Sequence, residues 1–378
     1  CIQPATILFA AHKGPSAPVP LPLKFPGHAL PSSICCIFAR MNPKDLQTIR
    51  ELLSTPRKIA VIPHKNPDGD AIGASLAIRH FLTDTGHRAL VISPNDYPKF
   101  LKWMPGSAEV VNFEWDRDKA TDFLKEAELI VTLDFNQLSR TGAMSEPLQA
   151  SAAVFLMIDH HQEPDHFAQL AYSDPAMSST CEMVYNLLES LDALGRIGPE
   201  IANCLYAGIL TDTGSFKYAA TSSRTHRVVA DLIDRGAQNT EVHSRIFDTN
   251  TPERLRLLGI ALGNMVIRSE YATAYTSLRQ EELDACQYKK GDTEGFVNYG
   301  LTLEGIRFAA IFIENREEGI IKISFRSKGD FSVNDFAREH FGGGGHVNAA
   351  GGRSHDSMKA TISRFESLLA SQQEKLTA

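Results

Sequence analysis

"AAVFLMIDHH", residues 152–161, is an apolar run that ends in one aspartate and two histidines. The apolar part reads as a buried strand. Asp159, His160 and His161 are costly to bury unless something pairs with them. Either the strand end is solvated and idle, or it holds a metal. The rest of the chain must supply the partners.

The same rhythm of apolar strand and amphipathic helix surrounds this stretch. "KIAVIPH" (58–64), "HRALVIS" (87–93) and "ELIVTLDF" (128–135) read as strands. "PKDLQTIRELLS" (43–54), "DAIGASLAIRHFLTDTG" (70–86), "DKATDFLKEA" (118–127), "SSTCEMVYNLLESL" (178–191) and "PEIANCLYAGILTDTG" (199–214) read as helices. Near-continuous apolar strands alternating with helices predict a parallel α/β sheet covered on both faces. After about residue 235 the pattern changes. Residues 236–258 are helical and polar on one side, and read as a connector. "YATAYTSL", "IRFAAIFIE" and "GIIKISFRS" then alternate as strands of a mixed or antiparallel sheet, with helices at "SVNDFAREHF" and "SMKATISRFESLLASQQEK". The expected organisation is a larger domain at 41–235 and a smaller α/β domain at 259–378. Residues 1–40 are rich in proline and small residues and read as a disordered extension, with Met41 as the natural start.

Composition limits the function. The chain has 378 residues, 43% hydrophobic and 22% charged, and a net charge of −7. An acidic chain does not coat long nucleic acid, duplex or single-stranded. No apolar run reaches the ~18 residues of a membrane span. The six cysteines form no C-x-x-C pair, which speaks against a disulfide framework and a zinc site and for the reducing cytoplasm.

Four places carry Asp or His just after an apolar strand or within an apolar helix. They are "HKNPDGDAIGAS" with His64, Asp68 and Asp70; "VTLDF" with Asp134; "IDHH"; and "GILTDTGSF" with Asp212. Functional residues of a parallel sheet gather at the carboxyl ends of its strands, so these four can converge. Each has a bland explanation when taken alone. Asp68-Gly69-Asp70 is a good turn sequence, Asp134 suits a cap, and His160 suits a structural histidine. Asp212 is harder to dismiss, because Asp is poor in an apolar helix. Together, carboxylates crowded at one point repel unless cations neutralise them. Mixed carboxylate and imidazole donors suit Mn²⁺ or Mg²⁺. His64, Asp68, Asp70, Asp134, His160 and Asp212 are more donors than one ion needs, so two ions sharing carboxylates fit better.

With these motifs the sequence resembles the DHH phosphoesterase family, and "GGGGHVNAAGG" (342–352) resembles the signature of its DHHA1 domain. The resemblance covers residues 41–378. It implies two Mn²⁺ ions, with Mg²⁺ as the alternative. One ion would take His64, Asp68, Asp134 and Asp212, and the other Asp70, Asp134, His160 and Asp212. It implies that Asp159 orients a ligand and that His161 faces the substrate phosphate. It also implies that Arg326, Gly343, Gly344, Gly345, His346 and Asn348 bind substrate across a cleft between the domains. The expected activity is hydrolysis of short single-stranded oligoribonucleotides to 5′-mononucleotides, and of 3′-phosphoadenosine-5′-phosphate to AMP. The alternative within the same chemistry is a phosphodiesterase for cyclic di-AMP or linear signalling dinucleotides such as pApA and pGpG. The group is compatible with a homodimer.

Overall fold

Six apolar runs of the first half become strands: β1 (Lys58–Pro63), β2 (Arg88–Ser93), β3 (Val111–Asn112), β4 (Leu129–Leu133), β5 (Val154–Asp159) and β6 (Leu170–Ser173). In this computed structural model, which describes residues 41–377, all are parallel in the order β3-β2-β1-β4-β5-β6. The extension expected at residues 1–40 lies outside the described residues. The strands lack a polar face because both faces are covered. Ile59 and Val61 of β1 pack into one apolar cluster, and Ala60 and Ile62 into another. That is the two-residue period of a strand.

The helices of this half are α1 (Pro43–Leu52), α2 (Gly69–Asp84), α3 (Arg117–Glu126), α4 (Ser145–Gln149), α5 (Thr180–Ser190), α6 (Pro199–Asp212) and α7 (Ser223–Asp234). α2, α5 and α6 supply Ile72, Leu76, Val184 and Leu205 to the first cluster, while α3 and α4 supply Phe123 and Leu148 to the second. β1 and β4 are neighbours although far apart in sequence, and strand order reverses between them. The crevice at that switch point is where open α/β sheets bind ligands. β3 has only two residues and β6 only four, too short for a readable period.

α8 (Asn239–Phe247) and α9 (Pro252–Gly263) follow, with α9 running past residue 258. The second sheet comprises β7 (Val266–Arg268), β8 (Thr273–Leu278), β9 (Phe308–Asn315), β10 (Ile320–Ser327), β11 (Gly344–His346) and β12 (Ala349–Ser354). Its order is β11-β12-β10-β9-β8-β7, and it is mixed: β8 and β9 are parallel, the other pairs antiparallel. α10 (Gln280–Ala285), α11 (Val333–Phe341) and α12 (Met358–Thr377) complete it. Phe308, Phe312, Phe325, Phe336 and Phe365 fill the core on one face, with the Phe308 and Phe365 rings 5.5 Å apart. No helix among the described residues is long and apolar enough to cross a membrane.

Ala349–Ser354 is a strand paired with both β10 and β11, and α12 begins only at Met358. Glycine weakens alternation, so this strand carries little periodic signal.

Candidate metal centre

The three strand ends meet as expected. β1 ends one residue before His64, β4 one residue before Asp134, and β5 at Asp159 with His160 next. Asp68 caps α2, accepting from the backbone N–H of Asp70 and Ala71 at 3.0 and 3.1 Å. Asp68, Gly69 and Asp70 form a helix start and not a free-standing turn, and the second oxygen of Asp68 lies 3.9 Å from His64 Nε2. α6 delivers Asp212 from its last turn.

Asp134 is the centre of the arrangement. One carboxylate oxygen lies 3.4 Å from His64 Nε2, the other 3.5 Å from His160 Nε2. Donor atoms of His64, Asp68 and Asp134 lie within 4.8 Å of one another, as do those of Asp70, His160 and Asp212. Asp212 is in the second set and Asp134 in the first, and the other oxygen of Asp134 faces His160 of the second set. Asp134 has a left-handed backbone, φ 66°, uncommon outside glycine and tolerated best by Asp and Asn.

Each histidine is set by its other nitrogen. His64 Nδ1 pairs with the Lys65 carbonyl at 2.9 Å, and His160 Nδ1 with the Met177 carbonyl at 3.1 Å. A carbonyl can only accept, so Nδ1 carries a proton and Nε2 is the nitrogen turned to the cluster, where it holds either a second proton or a cation. Asp159 was expected to orient a metal ligand. It is fully buried and holds His161 instead, accepting from its Nδ1 at 2.7 Å and its backbone N–H at 3.1 Å. β5 ends at Asp159, so the alternation of a strand does not tell His161 from His160 as its partner.

Asp70 is held by the start of α5: the N–H groups of Thr180 and Cys181 donate to its two oxygens at 2.6 and 2.9 Å. The Thr180 hydroxyl donates to Asp134 at 3.0 Å. Sequence reasoning missed Thr180. Its signal is "SSTCE" (178–182), a helix-start sequence whose donors serve two carboxylates as well as the helix.

The second module reaches this centre. The His346 ring lies 4.4 Å from His161 and 4.9 Å from His160. Lys290 donates to the Asn66 side chain at 2.7 Å, and Arg338 pairs with Glu163. The glycine run folds as the β11–β12 hairpin. A Cβ on Gly343 would stand 1.8 Å from the Gly351 carbonyl oxygen, and one on Gly345 2.4 Å from that of Ala349. The N–H of Gly343 donates to Ala337, that of Gly345 to Asn334. The Asn348 amide donates to Ser327 and Gly329. Gly344 lies between them in β11. Arg326 differs: its Nη1 donates to Phe325, and its buried Nε has no partner among the described residues.

The donor set fits divalent cations. Buried carboxylates and two imidazoles converge, and Lys290 and Arg338 pair elsewhere. Protons compete for the same atoms. Burial, reinforced by the Asp134 charge, pushes Asp70 up to about 7. Burial disfavours a charged His160, but Asp212, Asp134 and Asp70 outweigh it and hold its pKa well above the usual value. Burial also raises Asp134, but hydrogen bonds from His160 and His64 reverse that and hold it well below the carboxylate range. A cation must displace the protons on Asp70 and His160, so its affinity rises with pH while they are lost. Calorimetric titration with Mn²⁺ should show about tenfold or more tighter binding at pH 8 than at pH 6, with net proton release. Affinity independent of pH would contradict this donor set.

A doubly wound sheet with a carboxylate–imidazole cluster at its switch point defines the class: an α/β protein whose strand ends gather residues able to hold divalent cations. Residues 58–209 match the DHH family, N-terminal domain, and residues 283–376 the DHHA1 domain. The chain belongs to the DHH family. It is similar to the bifunctional oligoribonuclease and PAP phosphatase NrnA of Thermus thermophilus, at 31% identity over 78% of this chain and 83% of that protein. It is 28% identical to the cyclic-di-AMP phosphodiesterase GdpP of Geobacillus thermodenitrificans, over 82% of this chain but only 46% of GdpP. The crystal structure of an exopolyphosphatase-related protein from Bacteroides fragilis superposes with a TM-score of 0.87 at 36% identity, covering 90% of this chain and all of that one.

Proposed function

We propose that this chain is a two-metal phosphoesterase. It hydrolyses short oligoribonucleotides to 5′-mononucleotides and removes the 3′-phosphate of 3′-phosphoadenosine-5′-phosphate. The observation that carries the two-metal reading is Asp134, whose two oxygens face two different histidines. His64, Asp68 and Asp134 would hold one Mn²⁺, and Asp70, His160, Asp212 and Asp134 the other; Mg²⁺ suits the same oxygen donors. The cations, when bound, supply Lewis-acid charge and lower the pKa of a shared water. The similarity to NrnA over most of both chains supports the choice of substrates.

The chain's own residues position the ester. His161, pinned through Nδ1 by Asp159, presents its opposite nitrogen to a phosphoryl oxygen. Burial, aided by charge at His161 and His160, holds His346 down at about 3, so it meets substrate as a neutral imidazole. Arg326 has N–H capacity left for a phosphate or carbonyl oxygen. Gly343, Gly344, Gly345 and Asn348 serve this site by shaping the hairpin that carries His346. With His346 of the second module against His160 and His161, a site enclosed on that side would limit substrate length and favour short strands, and the function is that of a cytoplasmic enzyme.

Purified protein with Mn²⁺ should convert an RNA dinucleotide and 3′-phosphoadenosine-5′-phosphate faster than a long single strand, cyclic di-AMP or pyrophosphate. Products would be separated by chromatography, beside an inactive Asp134 variant. Turnover confined to cyclic di-AMP would move the activity to that of the GdpP-like relatives. Asp159→Asn replaces an acceptor beside two His161 donors by an amide. It should lower kcat/KM by about 10–100-fold while Mn²⁺ affinity stays near wild type, because Asp159 touches His161 and not His160. An equal loss of Mn²⁺ affinity would contradict that division of roles.

A further inference from the structure

Just beyond Asp212 the backbone does something costly. Gly214, Ser215 and Phe216 are consecutive residues with left-handed φ, at 56°, 61° and 65°. Only glycine adopts this without steric penalty. The turn is fixed by Ser215 N–H to the Leu210 carbonyl at 2.8 Å and Phe216 N–H to the Thr213 hydroxyl at 3.0 Å. Its result is to fold Tyr218 back onto Gly214. A Cβ on Gly214 would stand 2.5–2.8 Å from three atoms of the phenol ring. Phe216 packs inward near Tyr206 and His226, but Tyr218 is 39% exposed and belongs to no apolar cluster.

Single exposed aromatics are ordinary. Tyr218 is set apart by its support. The ring rests on backbone beside the metal centre, and its oxygen accepts from Asn298 Nδ2 of the second module at 3.4 Å. The next residue, Tyr299, is also exposed, at 42%. Tyr218 thus stands at a contact between the two modules, six residues from a proposed metal ligand, and Tyr299 is the chain neighbour of the Asn298 it touches. A planar partner is what such rings take up.

We propose that Tyr218 is a specificity-determining residue that stacks on a nucleobase of the substrate, with Tyr299 lining the same subsite. The inference rests on the phosphoesterase reading and adds a reason for that centre to prefer nucleotides over bare phosphoesters. Stacking is tolerant of base identity, so no strong base preference is expected.

The test is equilibrium binding by calorimetry to the Mn²⁺-loaded full chain. The probe is a ribodinucleotide with its bridging ester oxygen replaced by methylene, and a counterpart lacking the bases. Wild type should prefer the base-bearing probe. Tyr218→Ala should lose about tenfold or more of that affinity and bind the abasic probe as wild type does. Tyr218→Phe should stay within about twofold of wild type, since the stacking face survives. Equal affinity of wild type for both probes overturns the proposal, as does an equal loss on both in Tyr218→Ala. Turnover of the natural dinucleotide is measured separately. Base-dependent binding without turnover would remove the phosphoesterase reading and leave the subsite standing.

Discussion

Asp134→Asn is expected to lower kcat/KM on an RNA dinucleotide by at least about 10³-fold with the fold retained. Asn is the informative change because Asp134 sits at φ 66°. Asparagine tolerates the left-handed region, whereas alanine there would add about 1–2 kcal/mol of backbone strain and confuse instability with lost chemistry. The shape survives, and so does an acceptor for the Thr180 hydroxyl. What is lost is the charge shared between His64 and His160, and with it one of the two oxygens able to face a cation. Mn²⁺ retained after desalting, measured by atomic emission, should fall below that of wild type. Thermal stability should drop, because the fold holds Asp134 ionised between His64 and His160 and that pairing is lost. A variant that keeps more than about a tenth of wild-type kcat/KM would sink the assignment of Asp134 as the shared ligand.

The residues of this centre were legible for a physical reason. Asp134, Asp159 and Asp212 interrupt runs that are otherwise apolar, and a charge in such a place needs an explanation. The parallel sheet was legible because β1, β4 and β5 are buried on both faces and read as unbroken apolar stretches. What failed to show is whatever depends on contact between elements distant in sequence. Thr180 looks like any residue at a helix start until Asp70 arrives, 110 positions earlier in the chain. Ala349–Ser354 hides its strand because glycines stand where alternating side chains would be. The partner of Asp159 was hidden too, since β5 ends at that residue and strand alternation says nothing of the two histidines beyond it.

The glycines of α2 and α6 show the same limit, and the second large effect follows from them. Gly208 lies one turn before Asp212, and an added Cβ would stand 2.2 Å from Cys181 Sγ and 3.0 Å from an Asp70 oxygen. Across the contact, a Cβ on Gly73 would meet the Cys204 carbonyl oxygen at 2.5 Å. α2 and α6 can approach this closely only without side chains at those points, and the approach brings Asp70 beside Asp212. Gly208→Ala must therefore push α6 outward or displace Cys181. Overpacking of this kind costs about 1–3 kcal/mol, more than the helix propensity of alanine returns at about 1 kcal/mol. The melting temperature should drop, and Mn²⁺ affinity should fall with it, because Asp70 and Asp212 separate. Cys181→Ala, combined with Gly208→Ala, tests the cause. It removes the nearest clashing atom but not the Asp70 contact, so the double variant should recover stability more than metal affinity. The two substitutions should be strongly non-additive in stability, since they share one contact. A Gly208→Ala protein that melts with wild type, or a double variant whose losses simply add, would show that the helices do not depend on this close approach to set the centre.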